Sequence, residues 1–423
     1  MKQGNDFKET KIGKIPEGWD IKKLCEVAKF VDDKIEIRSI SLLNYISTEN
    51  MLPNKGGIIT ITSKPLSGKA TKFREGDILF SNIRTYFKKI WLAKFIGGCS
   101  NDVLVIRVEK KIYEKYLYYY LSQNVFFNYT VLSSKGTKMP RGDKEAIMQY
   151  PIFIPPLAEQ KAISKILSDL DSKIELNNQM NATLEAMAQA IFKHWFIDFE
   201  FPDENGKPYK SNGGKMVDSE LGKIPEGWEV KNIQDILAFE KGTEPGSKYY
   251  FTENSKERVR FIRVRDLEAI EHDQIFVPRS LVNGKSCNED DILLSLDATI
   301  GRIKIGIHGA FSSGIRKVYS KDKGLVPKAY IYSLLKSKYT QNIMEAYANG
   351  TTILHAGVSL NYIDVAIPDI NVFKKFSKIT DAFFDKLVNN IIEINNLKEI
   401  RDSLLPKLMS GQIRVPVEVI KNA

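Results

Sequence analysis

Cysteine and histidine are both scarce: the 423-residue chain has 3 cysteines and 4 histidines. Cys25, Cys99 and Cys287 lie far apart and are odd in number, which excludes a disulfide framework and fits a reducing compartment. His194, His272, His308 and His355 form no metal-ligand spacing with the cysteines or with each other. No stretch approaches the roughly 18 consecutive apolar residues of a membrane helix, and the first residues lack the apolar core of a signal peptide. A soluble, cytoplasmic chain without a membrane partner is expected.

Catalytic motifs are missing too. Gly301-Arg-Ile-Lys-Ile-Gly306 has the glycine spacing of a phosphate-binding loop, but Ile307 and His308 follow where Lys and Ser/Thr are required. Ile154 and Leu157 flank Pro155-Pro156, where an amino-methyltransferase needs Asp or Asn before and an aromatic after. Asp203, Glu204 and Lys207 crowd into a Gly/Asn-rich linker instead of converging from a strand on one metal. No nucleophile elbow or Cys/His arrangement is present. The expectation is a non-catalytic chain with no cofactor or metal of its own.

What is present is positive charge and repetition. Lys and Arg number 62 against 52 Asp and Glu, a formal charge of +10, which fits a polyanionic partner. Gly13-Lys-Ile-Pro-Glu-Gly-Trp19 recurs unchanged, 209 residues later, as Gly222-Lys-Ile-Pro-Glu-Gly-Trp228. Weaker echoes follow at an offset of 214: Glu75-Gly-Asp77-Ile-Leu-Phe-Ser81 with Glu289-Asp-Asp291-Ile-Leu-Leu-Ser295, and Gly136-Thr137 with Gly350-Thr351. Each unit begins with a mixed segment of short strand-like runs, among them 57–62, 103–108 and 302–307. Each ends in a long helix that starts after Pro155-Pro156 or Pro368.

The first helix is expected over about 157–196, with a seam of Ile163, Ile166, Leu170, Lys173, Asn177, Met180, Leu184, Met187 and Ile191. The second repeats it through Phe376, Thr380, Phe383, Leu387, Asn390, Ile394, Leu397, Arg401, Leu404 and Leu408. Two such seams in one chain pack most simply against each other; the alternative is a pair of amphipathic core helices. Asn177 and Asn390 hold equivalent seam positions, where a buried amide fixes register, unless both face solvent. Antiparallel pairing would place the mixed domains at opposite ends about a pseudo-two-fold axis and bring the termini together.

Candidate binding residues are basic and interleaved with aromatic or small polar groups. In the first unit they are Asn82, Arg84, Lys88, Lys89, Lys135, Thr137, Lys138 and Arg141. In the second, Arg258, Arg260, Arg263 and Arg265 read as one alternating row on a strand face, joined by Arg302, Thr351 and Thr352. Such cations suit a phosphate track, and Arg or Asn can read base edges; the alternative for each is a solvated surface charge. The Gly-Thr loops either contact phosphate through their amides or cap a turn.

Taken together, Gly-Lys-Ile-Pro-Glu-Gly-Trp, Ile152-Phe-Ile-Pro-Pro-Leu-Ala-Glu-Gln160, Ile191-Phe-Lys-His-Trp-Phe-Ile-Asp-Phe199 and Ser403-Leu-Leu-Pro-Lys-Leu-Met-Ser-Gly-Gln-Ile-Arg-Val415 resemble the specificity subunits of type I restriction–modification systems over essentially the whole chain. The resemblance implies an α+β chain with two target-recognition domains, 14–155 and 223–368. Two long antiparallel coiled-coil helices join them in a pseudo-two-fold, circular organisation. The remaining segments are 1–13, the central helix 156–200, a linker 201–222, the distal helix 369–410 and a tail 411–423. It further implies that each domain reads half of a bipartite site in double-stranded DNA. The helices set the spacer and dock two methylation subunits carrying S-adenosylmethionine, and restriction subunits bring ATP and Mg2+. The second unit departs at Ile367-Pro-Asp-Ile-Asn-Val-Phe373, so its helix entrance is expected to differ. A self-sufficient methyltransferase or nuclease, and an RNA-binding scaffold, are the rival readings.

Overall fold

A computed structural model describes residues 7–10, 13–109, 112–268, 273–322, 324–348 and 355–416. Two compact units emerge: residues 1–172 with 397–423, and residues 173–396. The first long helix, Leu157–Phe192, and the second, Ile370–Met409, each contribute to both units.

Both units contain the same ribbon at the repeated motif. Phe7–Thr10 pairs with Gly13–Pro16, and Met216–Ser219 pairs with Gly222–Pro225. The repeated Pro-Glu-Gly-Trp is a tight turn, with Trp19 N donating to Pro16 O and Trp228 N to Pro225 O. Its glycines, Gly18 and Gly227, have φ of +82° and +85°, the third-position conformation that a side chain resists. The next strand, Asp20–Lys23 or Glu229–Asn232, pairs antiparallel with the strand that feeds the long helix, Pro151–Ile154 or Asp364–Ile367. The head of each unit is thereby stitched to its helix entrance.

The main sheet has one strand order in both units. In the first it runs Ala28–Phe30, Val103–Val108, Ile78–Ser81, Ile90–Leu92; in the second, Leu237–Lys241, Ile315–Ser320, Ile292–Ser295, Ile303–Lys304. The repeated acid at its entrance is a turn cap: the Asp77 carboxylate accepts from Arg74 N, and that of Asp291 from Asn288 N, each at 2.8 Å. A second sheet shares three strands and differs in the fourth. Lys34–Glu36 adds beside Lys69–Phe73 in the first unit, whereas Ile275–Pro278 adds beside Arg258–Ile262 in the second.

Two expected strands are corrected. Residues 57–62 form no strand, only a single bridge between Met51 and Ile58, because Gly57 (φ +85°) turns the chain. Of 302–307, only Ile303–Lys304 is paired. The helix seam also shifts. Leu167 and Ile174 are buried where Ile166 and Lys173 were expected, Lys173 and Met187 are exposed, and Phe384 and Leu405 are more buried than Phe383 and Leu404. The four-residue step precedes the three-residue step, so apolar Ile174 rather than charged Lys173 faces inward.

Within each unit the helix segments run antiparallel. In the second, Asn177 Nδ2 donates to Glu393 Oε2 at 2.8 Å, Asn390 Nδ2 donates to Asn181 Oδ1 at 2.9 Å, and Trp195 packs on Phe376. In the first, Arg401 Nη1 meets Asp171 Oδ1 at 2.8 Å. Asn177 and Asn390 are fully buried, each with an Oδ1 that has no partner among the described residues.

Candidate nucleic-acid interface

In the first unit two separate sequence segments become one ledge. Strand Ile78–Ser81 ends in a turn whose middle, Thr85–Phe87, is a single 3-10 turn. Arg84 and Lys88 bracket it at φ +49° and +53°. Left-handed conformations cost a side-chain-bearing residue about 1–2 kcal/mol each, so the surrounding structure must hold the turn. It does so from two sides. Arg84 N donates to Pro140 O, Gly142 N to Asn82 O, and Ile83 bridges Arg141 in the Lys135–Arg141 loop. Opposite, Asn54 N donates to Phe87 O and Lys55 N to Lys88 O.

The ledge brings together most of the residues expected in this unit. Arg84, Lys135, Thr137, Lys138 and Arg141 are exposed, and Lys88 is half-buried. Lys135 pairs with Asp143, and Arg141 with Asp102 at 2.9 Å. No carboxylate pairs with Arg84, Lys88 or Lys138 among the described residues. Lys89 turns inward, donating to Thr48 O at 2.6 Å, and burial pushes its ammonium below the usual lysine value. Asn82 is buried at the wall of a cleft of about 350 Å³, lined also by Asp102, Lys135, Arg141 and Asp143. The Gly136-Thr137 loop is a closed turn, Lys135 and Arg141 exchanging both backbone hydrogen bonds. Sequence reading passed over Asn54 and Lys55, whose only local signal was Pro53-Asn-Lys-Gly-Gly57.

The second unit corrects the arginine row. Strand Arg258–Ile262 carries only Arg258 and Arg260; Phe261 and Ile262 are both buried, and the odd step across them throws Arg263 off that face. Arg258 stacks on the Phe251 ring, 3.6 Å from its centroid, and donates to Glu253 O. Arg263 clamps the Asp266 carboxylate with two contacts of 2.9 Å and donates to Asp273 O. Arg265 is half-exposed, 3.9 Å from Asp266, and Arg302 pairs with Glu268 at 2.5 Å. Thr351 and Thr352 lie outside the described residues. The turn matching the first unit's ledge is 296–302, where Ala298 has φ +63° and Asp297 bridges His355. His355 Nδ1 lies 2.7 Å from Asp297 Oδ1, a pair that no spacing in the sequence signalled.

The acidic linker is a structural turn. Asp203 accepts from the backbone of Asn205 and Lys207, and the Lys207 amide holds its carboxyl below the usual value.

Residues 16–186 and 225–399 match the family described as type I restriction modification DNA specificity domain. The chain is 28% identical to the type I restriction enzyme MjaIX specificity subunit of Methanocaldococcus jannaschii, covering 97% of each protein. It is 25% identical to the HindI specificity subunit of Haemophilus influenzae, over 93% of this chain and 99% of that one. Its fold is shared with the S subunit of a type I restriction–modification system from M. genitalium, with a TM-score of 0.56 at 15% identity and 96% and 98% coverage. With two matched copies spanning most of its length, the chain belongs to the type I restriction–modification DNA specificity family.

Proposed function

We propose that the chain is the sequence-specific DNA-recognition subunit of a type I restriction–modification complex. The observation that carries this reading is the duplicated unit: one sheet order, twice, each ending in a turn between a strand and a long helix. Each target-recognition domain reads one half of a bipartite site in double-stranded DNA. The paired helices set the unread spacer and dock two methylation subunits. The chain itself is non-catalytic. S-adenosylmethionine belongs to the methylation subunits, and ATP with Mg2+ to restriction subunits, all in the cytoplasm. The first-unit ledge supplies cations for phosphate and side chains for base edges.

The test is to co-express the chain with its methylation subunit and map N6-methyladenine genome-wide by single-molecule sequencing. A two-part motif with a fixed gap is expected. A short continuous motif, or none from a stable complex with an active methylation subunit, overturns the reading.

A further inference from the structure

Tyr86 and Phe87 stand at the crest of the first unit's ledge. They are 48% and 39% exposed, and their ring centroids lie 4.7 Å apart. Large apolar groups on a mobile loop would fold back onto the protein. Here the turn cannot relax. Phe87 N donates to Arg84 O and Lys88 N to Thr85 O, Thr85 is buried beneath, and hydrogen bonds from Asn54, Lys55 and Arg84 fasten both ends. Leu132, the last residue of helix Asn124–Leu132, and Met139, in the Lys135–Arg141 loop, are exposed as well, and Arg84 and Lys88 flank the pair as cations without carboxylate partners among the described residues. A rigid apolar crest between unpaired cations matches a groove whose walls are phosphates and whose floor offers one apolar group. In the DNA major groove that group is the thymine 5-methyl.

The two units differ at this place. Ser81 and Ser295 end equivalent strands, and Arg84 and Ala298 share the left-handed conformation three residues on. The crest positions are then Ile300 and Gly301 in the second unit. Ile300 packs into the core of its unit, and glycine has no side chain to offer. The aromatic crest therefore belongs to one half of the duplication.

We infer that Tyr86 and Phe87 are specificity-determining residues of the first recognition domain, reading a thymine methyl in the half-site it binds while Arg84 and Lys88 hold the flanking phosphates. This rests on the DNA-recognition reading above. It assigns to the two half-sites different readout chemistry, with apolar methyl contact in one and none from the matching turn in the other.

The experiment uses the complex with its methylation subunits and duplexes carrying the mapped motif, with each thymine in turn replaced by uracil, which removes only the methyl. Binding by the unaltered complex should fall about fourfold at one or two thymines of a single half-site, the size of one buried methyl. Phe87→Ala and Tyr86→Ala should lose affinity for the thymine duplex and become indifferent to uracil at those positions, with the other half-site unchanged. Phe87→Leu should retain part of the discrimination. An unaltered complex indifferent to uracil everywhere overturns the inference without any variant having to fold. So does Phe87→Ala that keeps the full thymine preference. Failure of the complex to prefer the mapped motif over unrelated duplex would instead strike the DNA-recognition reading itself.

Discussion

Arg414 grips Glu159 with two nitrogens, Nε at 2.7 Å from Oε1 and Nη2 at 3.0 Å from Oε2, and the same Oε2 accepts from Trp19 Nε1 at 2.9 Å. Three distant segments meet in this knot: the head motif, the first helix entrance and the segment after the second helix. Gly411 completes it, since a Cβ there would sit 2.2 Å from Pro16 Cγ. The second unit closes the equivalent corner with aromatic rings. Trp228 packs against Phe196, Phe199 and Phe201, while Val372 and Phe373 stand buried at the helix entrance. The departure at Val372-Phe373 is thus a change of chemistry, from a polar knot to an aromatic cluster, with the joint itself retained.

Glu159→Gln should destabilise the chain by about 3 kcal/mol, because it leaves the Arg414 guanidinium without its counter-charge at a site where the carboxylate is 2% exposed. Thermal unfolding measures this. Placing the acid in the other corner, Val372→Glu, should cost at least as much, since Val372 is buried in the apolar core of its unit. A Glu159→Gln chain as stable as the parent would mean the knot contributes nothing net.

Asn177→Leu and Asn390→Leu should each raise stability by about 1 kcal/mol, because each asparagine keeps a buried oxygen with no partner among the described residues. The gain should come with looser register, since the pairing to Glu393 and Asn181 is what distinguishes one helix alignment from a slipped one. Methylation mapping of the double variant should then show more than one spacer length. A single unchanged gap would remove these amides from the ruler.

Much of the fold was legible because it rests on local chemistry that recurs. The Pro-Glu-Gly-Trp turn needs its glycine φ, the Asp77 and Asp291 caps need a short carboxylate, and the helix entrances follow proline. What escaped the sequence was set by packing. The helix seam moved by one residue because Leu167 and Ile174 compete better for the interior than Ile166 and Lys173. In sequence the ledge is two separate basic segments, but hydrogen bonds across more than 50 residues fuse them, as between Arg84 and Pro140. The arginine row failed at Phe261-Ile262, two consecutive buried residues that break a period of two.

Thiol chemistry should separate the three cysteines. Cys25 is exposed, whereas Cys99 and Cys287 are buried and burial pushes both thiols up to about 12. A thiolate-directed reagent at neutral pH should therefore modify one cysteine quickly in the native protein and all three after denaturation. Rapid native modification of Cys99, which sits in the second sheet of the first unit, would show that this sheet opens readily.

Arg263 and the pair Arg84 and Lys138 make opposite predictions, although the sequence ranks all three alike as basic candidates. Arg263 is spent on the Asp266 carboxylate and the Asp273 carbonyl, with a side chain only 16% exposed. Arg263→Ala should lower the unfolding temperature by leaving Asp266 unpaired, and should leave the salt dependence of DNA binding unchanged. Arg84 and Lys138 hold no carboxylate among the described residues and are exposed. A cation on a phosphate releases about one counterion, so Arg84→Ala and Lys138→Ala should each flatten the slope of log affinity against log salt by about 1, with little change in stability. Fluorescence anisotropy across a salt series reads the slopes directly. A slope altered by Arg263→Ala would add the surface around Asp266 to the phosphate track, and slopes unaltered by the other two would remove the first-unit ledge from it.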